Sequence, residues 1–153
     1  MNLFDQDILL TDLGNTRFAG VVSDNWSVNG NPNGGYLMAM IADAMLRCSD
    51  KKYTPLVTAN YLSRCVPGEV EIRISEIARS RQFTRFEARV LQQGEEKIRA
   101  LGTFTAENDS CVVERYETKA PELAPVEKCV QIPTMPKYTL FHNLDLRLDP
   151  GCA

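Results

Sequence analysis

The run Asn31-Pro32-Asn33-Gly34-Gly35-Tyr36 brings together residue types that can do chemistry. Two glycines at a helix start let a ligand approach the backbone closely. The unpaired N–H groups of the first helical turn then point at that ligand and can cradle an oxyanion or a phosphate. The donors of this cradle are the amides of Gly35 and Tyr36, with Gly34 giving the close approach. Asn33, one step ahead, carries a carboxamide that can orient a carbonyl or a water, and Asn is equally a residue that caps helices. Asp43 is the only acid in the apolar stretch that follows. As a general base it needs a neighbour and a partly dry site that bring its pKa near working pH. As an ordinary helix acid it pairs with Arg47, four residues on. Arg79, Arg81 and Arg85 crowd a predicted turn, with Arg89 further along. Guanidinium groups hold phosphates bidentately, but a charged turn also serves as a solvated face or as edge protection.

Other chemistries find little framework. The only histidine, His142, lies near the C-terminal end without partner residues close in sequence, which gives no support to a Ser/His/Asp or Cys/His triad. Cys48, Cys65, Cys111, Cys129 and Cys152 are scattered and odd in number. No CxxC pair or Cys/His spacing suggests zinc, so no metal site is expected. The first ten residues hold Asp5 and Asp7 and no basic residue, unlike a secretory leader, and the thiols are expected reduced in the cytoplasm. A formal net charge of -3 gives no general attraction to nucleic acid or to anionic membranes, although it leaves room for a local basic patch. The apolar run from Tyr36 to Leu46 contains Asp43 and is too short to span a bilayer.

At 153 residues the chain is about one domain long. Residues 1–16 mix apolar and turn-forming residues and are expected to lead into a first strand near Arg17–Ser23, followed by an Asn- and Gly-rich loop that holds the only tryptophan, Trp26. A helix is predicted over about Gly34–Arg47, apolar on every face except those of Asp43 and Arg47, as for a helix wrapped by other elements. From Leu56 the period changes. Val70, Ile72 and Ile74 alternate with polar residues, as do Phe86, Ala88 and Val90. Ile98, Ala100, Gly102 and Phe104 alternate with Arg99, Leu101 and Thr103. This period of two predicts an antiparallel meander with one buried face, turning at Arg79–Gln82 and at Gln93-Gly94-Glu95. Residues 111–117 are predicted as one more short strand. Lys119–Lys137, with Pro121, Pro125, Pro133 and Pro136, reads as a linker, and Leu140–Asp149 alternates like the opening strand of another unit.

The segments Asn33-Gly34-Gly35-Tyr36-Leu37-Met38-Ala39, Thr58-Ala59-Asn60-Tyr61-Leu62 and Ala100-Leu101-Gly102-Thr103-Phe104 resemble the N-terminal hotdog unit of the TesB-like (acyl-CoA thioesterase II) family. The resemblance covers roughly residues 10–118. It implies an α+β fold in which a long central helix is wrapped by an antiparallel sheet: a single hotdog over 1–118. Residues 119–153 then form a Pro-rich linker and tail like the start of a truncated second hotdog. It implies hydrolysis of an acyl-CoA thioester, with no cofactor beyond the substrate. Gly35 and Tyr36 would hold the oxyanion, Asn33 and Asp43 would assist, and Gly34, Arg79, Arg81 and Arg85 would contact coenzyme A. It also implies a homodimer, since hotdog sites normally form between two units. Members of the family usually fuse two hotdogs and carry the water-activating residues in the second. The alternative is therefore a catalytically silent hotdog that binds acyl or other hydrophobic ligands, or that pairs with a partner. Trp26, Tyr36 and Tyr61 are candidates both for an acyl tunnel and for the core.

Overall fold

The computed structural model describes residues 1–106 and 118–152, so the predicted strand at 111–117, with Cys111, lies outside the described residues. The chain opens with a short helix, α1 (Leu3–Asp7), capped by Asn2, whose side chain accepts the Asp5 N–H at 2.8 Å. Strands β1 (Leu10–Gly14) and β2 (Arg17–Val22) follow. The two-residue strands β3 (Ser27–Val28) and β4 (Asn31–Pro32) pair with each other in the loop before the helix α2 (Gly34–Cys48). Then come β5 (Tyr53–Tyr61), β6 (Gly68–Arg79), β7 (Phe83–Gln92) and β8 (Glu95–Thr105). Six strands form one antiparallel sheet in the order β1-β2-β6-β7-β8-β5.

The period-two segments become β6, β7 and β8 because alternate residues face α2. Val70, Ile72, Ile74, Phe86, Ala88, Val90, Ile98, Ala100 and Phe104 are all buried. They meet Tyr36, Leu37, Met40, Ile41, Ala44 and Met45 of the helix. Each large side chain so enclosed stabilises the fold by about 1.5–3 kcal/mol relative to exposure. The turn at Gln93-Gly94 places both residues at positive φ, 53° and 82°, the geometry of a tight two-residue hairpin. Among the described residues, no helix is long and apolar enough to cross a membrane.

Two expectations need correction. The first sixteen residues are not merely a lead-in, since they hold α1 and the edge strand β1. Only Leu10 of β1 is buried, so the strand shows no alternation for a sequence reading to find. Leu140–Asp149 does not form one strand. Residues Thr139–His142 make a helical turn, α3, and only Arg147–Leu148 is extended, as β10, paired with β9 (Val130–Gln131). The alternating leucines there face no sheet interior: Leu144 and Leu148 are exposed. Instead Thr139 pins this segment to the loop before α2. Its hydroxyl oxygen accepts the Ser27 N–H at 3.1 Å and donates to the Asp24 carbonyl. Asn143 adds a 2.8 Å bond to the Asn25 carbonyl, and Leu140 packs against the core.

Candidate functional site

Asn33 is the N-cap of α2. Its Oδ1 accepts the N–H of Gly35 at 2.8 Å and that of Tyr36 at 3.2 Å. Two adjacent amides therefore converge on one oxygen, which is what an oxyanion cradle requires. The oxygen now held there belongs to the protein, so the capping role and the cradle use the same donors. Gly35 is exposed, leaving the cradle open to solvent on that side.

Tyr61 closely approaches Gly34. A Cβ at this position would lie 2.9 Å from the Tyr61 hydroxyl oxygen, and Tyr61 donates to the Gly34 carbonyl at 2.6 Å. Tyr61 ends the edge strand β5 and remains 47% exposed, and burial of its ring pushes the phenol pKa up. Its contact with the first turn of α2 had no local signal, because 27 residues separate the partners. Arg64, just after β5, donates to the Gly30 carbonyl at 2.8 Å and closes the same corner.

Tyr36 points away from the cradle. Its ring stacks on Trp26 at 6.1 Å and meets Phe4 edge-on at 6.4 Å. Its hydroxyl donates to the Asp7 carbonyl at 2.8 Å and accepts the Ser23 N–H at 3.0 Å. Desolvation raises its pKa, partly opposed by that N–H. Trp26 donates its indole N–H to Asp7 at 2.8 Å. These aromatics seal α1 and β2 onto the helix start, so only the backbone of Tyr36 faces the cradle.

Asp43 lies nine residues beyond Gly34, about 13 Å along the helix axis at the usual rise. Arg47 Nη2 approaches its Oδ2 to 2.8 Å, off the direction of a hydrogen bond, and that oxygen is shut away from solvent. Arg47 also donates to the Leu10 carbonyl at 2.9 Å. The pair therefore sits on the flank of α2 that faces β1, whereas the Gly34 cradle borders β5 at the other edge.

The arginine turn is likewise remote from the cradle within one chain. Arg79 is 2.8 Å from Asp50, just past the C-terminal end of α2, and 2.6 Å from Glu76. A 15-residue helix, about 22 Å long, separates that end from Gly34. Lys51, largely buried, donates to Thr84 at 2.9 Å and lies 3.5 Å from Asp50. Burial pushes the Asp50 carboxyl up, but Arg79 and Lys51 outweigh it and hold the pKa below the ordinary range. Arg79 is thus committed to two carboxylates. Arg85 lies over the Phe83 ring at 5.4 Å, and Arg81 has no polar partner among the described residues. His142 is exposed, 3.2 Å from the Met135 carbonyl. The structure thus brings Asn33, Gly34, Gly35 and the Tyr36 backbone together and leaves Asp43, Arg79, Arg81 and Arg85 elsewhere.

Comparison with known proteins agrees with this architecture. A thioesterase II candidate from Thermobifida fusca superposes with a TM-score of 0.87 at 21% identity, covering 99% of this chain and 56% of that one. A protein with a hot dog fold from Alicyclobacillus acidocaldarius gives 0.81 at 20% identity, over 93% and 53%. The tesB protein of Mycobacterium avium subs paratuberculosis gives 0.66 at 19%, over 81% and 48%. At such identities the likeness establishes the hotdog fold, and the chain spans about half the length of these relatives. No curated protein matches it. The acyl-CoA thioesterase N-terminal domain model matches residues 22–105, more than half of the chain, with both α2 and the meander inside the match. The protein therefore has the hotdog fold and belongs to the acyl-CoA thioesterase N-terminal domain family.

Proposed function

We propose that this domain hydrolyses acyl-CoA thioesters at the start of α2, working as one of two hotdog units. The observation that carries the reading is the convergence of the Gly35 and Tyr36 amides on one oxygen, at 2.8 and 3.2 Å. The thioester carbonyl oxygen takes the place of Asn33 Oδ1, and the released carboxamide orients the attacking water. As water adds to the carbonyl carbon, the two N–H groups stabilise the negative charge that gathers on oxygen. Collapse of the intermediate then expels the coenzyme A thiolate. Asp43 is held by Arg47 on the far flank, so the base that takes the proton from water comes from the second unit.

The edge strand β5 supports a homodimer. Among the described residues one side of it has no strand partner, and it carries exposed Leu56 and Tyr61. Identical strands paired edge to edge about a two-fold axis run antiparallel, which sets the Tyr53 end of one beside the Tyr61 end of the other. The partner's Arg79–Arg85 turn then comes to this helix start, where Arg81 and Arg85 meet the phosphates of coenzyme A. The test compares a panel of acyl-CoA esters with the same acyl groups on N-acetylcysteamine, which lacks phosphates. Replacing Arg81 and Arg85 by Ala should raise KM for acyl-CoA and leave the short thioester unchanged. Loss on both substrates removes the phosphate role. Absence of turnover on every chain length removes the enzymatic reading and leaves the acyl-binding alternative, which the occupied cradle favours.

A further inference from the structure

Residues 137–143 reach back to the loop that leads into α2 and take up its backbone groups one after another. The Asn29 N–H donates to the Lys137 carbonyl at 2.7 Å. The Thr139 hydroxyl oxygen accepts the Ser27 N–H at 3.1 Å and donates to the Asp24 carbonyl. The Asn143 carboxamide donates to the Asn25 carbonyl at 2.8 Å and to the Thr139 carbonyl at 3.3 Å. Asp24, Asn25, Ser27 and Asn29 are thus all tied to one strap. Leu140 packs this strap against the core, and Tyr138 stacks on Phe141 at 5.6 Å. A cleft of about 610 Å³, lined by Asp24, Asn29, Gly30, Pro136, Lys137 and Thr139, opens between strap and loop, so hydrogen bonds rather than continuous packing join the two.

Trp26 stands in the middle of the stapled loop, and its carbonyl accepts the Asn33 N–H at 2.8 Å. That bond fixes the backbone of the residue whose side chain caps the Gly35 and Tyr36 amides. Pairing of Ser27 with Pro32 and of Val28 with Asn31 carries the same constraint along the β3–β4 hairpin. A continuous connection therefore runs from Thr139 through Ser27 and Trp26 to Asn33. The Trp26 ring, stacked on Tyr36, grips the loop from the side of the core, and the strap grips it from the other. In the proposed mechanism the thioester displaces the Asn33 carboxamide. The Asn33 backbone must then stay in place while its side chain leaves, because donors stabilise an oxyanion best when they need no rearrangement at the moment of reaction.

We infer that Thr139 is a positioning residue for the cradle: its hydroxyl, acting through Ser27 and Trp26, holds Asn33 and the first turn of α2 in the geometry that receives the oxyanion. For its effect on turnover the inference rests on the proposed thioesterase reading, whereas the positional link is measurable without any turnover. Thr139 acts through the loop, so its loss changes kcat rather than KM.

The experiment compares, in the full chain, Thr139→Val, which keeps the shape and removes the hydroxyl, with Thr139→Ser, which keeps the hydroxyl. Asn143→Ala provides a milder cut in the strap. Amide hydrogen exchange is followed at Asn33 and Tyr36, with buried Ala88 of β7 as the reference for the sheet. Asn33 and Tyr36 should exchange about tenfold faster in Thr139→Val while Ala88 keeps its wild-type rate, and Thr139→Ser should match wild type throughout. On acyl-CoA, Thr139→Val should lower kcat by about ten- to a hundredfold at constant KM, the effect of a small misplacement away from the chemistry. Asn143→Ala should show the same shifts in smaller size, and its exchange decides the matter should Thr139→Val not fold. Wild-type exchange at Asn33 and Tyr36 in the variants overturns the inference. So does a rise in KM at constant kcat, which assigns the strap to the ligand site, and so does equal acceleration at Ala88, which makes the strap a general brace of the fold. Should the wild type turn over no thioester, the catalytic reading falls and the exchange rates alone decide whether Thr139 holds the helix start.

Discussion

Replacing Asn33 by Asp and by Ala separates capping from catalysis, because the two roles rank the variants in opposite orders. Asp keeps an acceptor for the Gly35 and Tyr36 amides and adds a negative charge at the helix N-terminus, which stabilises by about 0.3–1 kcal/mol. Ala leaves both amides without that acceptor and costs about 1 kcal/mol. The exposed Gly35 amide can turn to water, whereas the half-buried Tyr36 amide cannot do so as freely. The stability order is therefore Asp, then Asn, then Ala, over a range near 2 kcal/mol. In a domain of this size that corresponds to a spread in Tm of roughly 4–8 °C, measurable by calorimetry. Hydrolysis should rank differently. Asp places a charge where the oxyanion must form and retains both donors, so kcat/KM should fall by about a hundredfold to a thousandfold. Ala frees the donors and loses only the orienting carboxamide, so it should remain the more active of the two variants. An Asn33→Asp protein as active as wild type would show that the amides do not hold the oxyanion. An Asp variant more active than the Ala variant would refute the displacement of Asn33 by substrate.

Two further outcomes follow from packing and charge. Gly102→Ala adds a Cβ that overlaps the sulfur of the fully buried Met45 and lies 3.0 Å from Phe104. The variant should lose about 1–3 kcal/mol in urea unfolding, and Met45→Ala in the same chain should relieve part of that loss by making room; strict additivity would mean that the clash is not the cause. Hydrogen bonds from Arg17 and Arg73 hold the Glu71 carboxyl at about 2, well below its ordinary value. Because the folded pKa is depressed, its stabilising contribution is complete above about pH 4.5 and is lost as pH falls toward 2. Glu71→Gln should therefore differ most from wild type near neutral pH and converge with it in acid; a gap that persists at pH 2 would point to packing.

The sequence by itself determined the features whose partners lie within a few residues. Asn33 capping Gly35 and Tyr36, Asp43 beside Arg47, and the hairpin at Gln93-Gly94 are local geometry, legible from residue type and spacing. The meander is legible for the same reason, since burial of alternate residues leaves a period of two in the chain. Tertiary structure alone decided what depends on distant partners. It gave Arg79 to Asp50 and so moved the arginine turn to the far end of α2. It set the Tyr61 hydroxyl against Gly34, and it made the helix turn of Thr139–His142 by anchoring Thr139 to a loop more than a hundred residues away. The clearest case is the row Arg17, Arg73, Arg89 and Arg99, which stand opposite one another across β2, β6, β7 and β8 on the sheet face turned away from α2. Each arginine reads as one polar position of an alternating strand, and only the register of four strands lines them up, because cross-strand neighbours are adjacent in the sheet and remote along the chain.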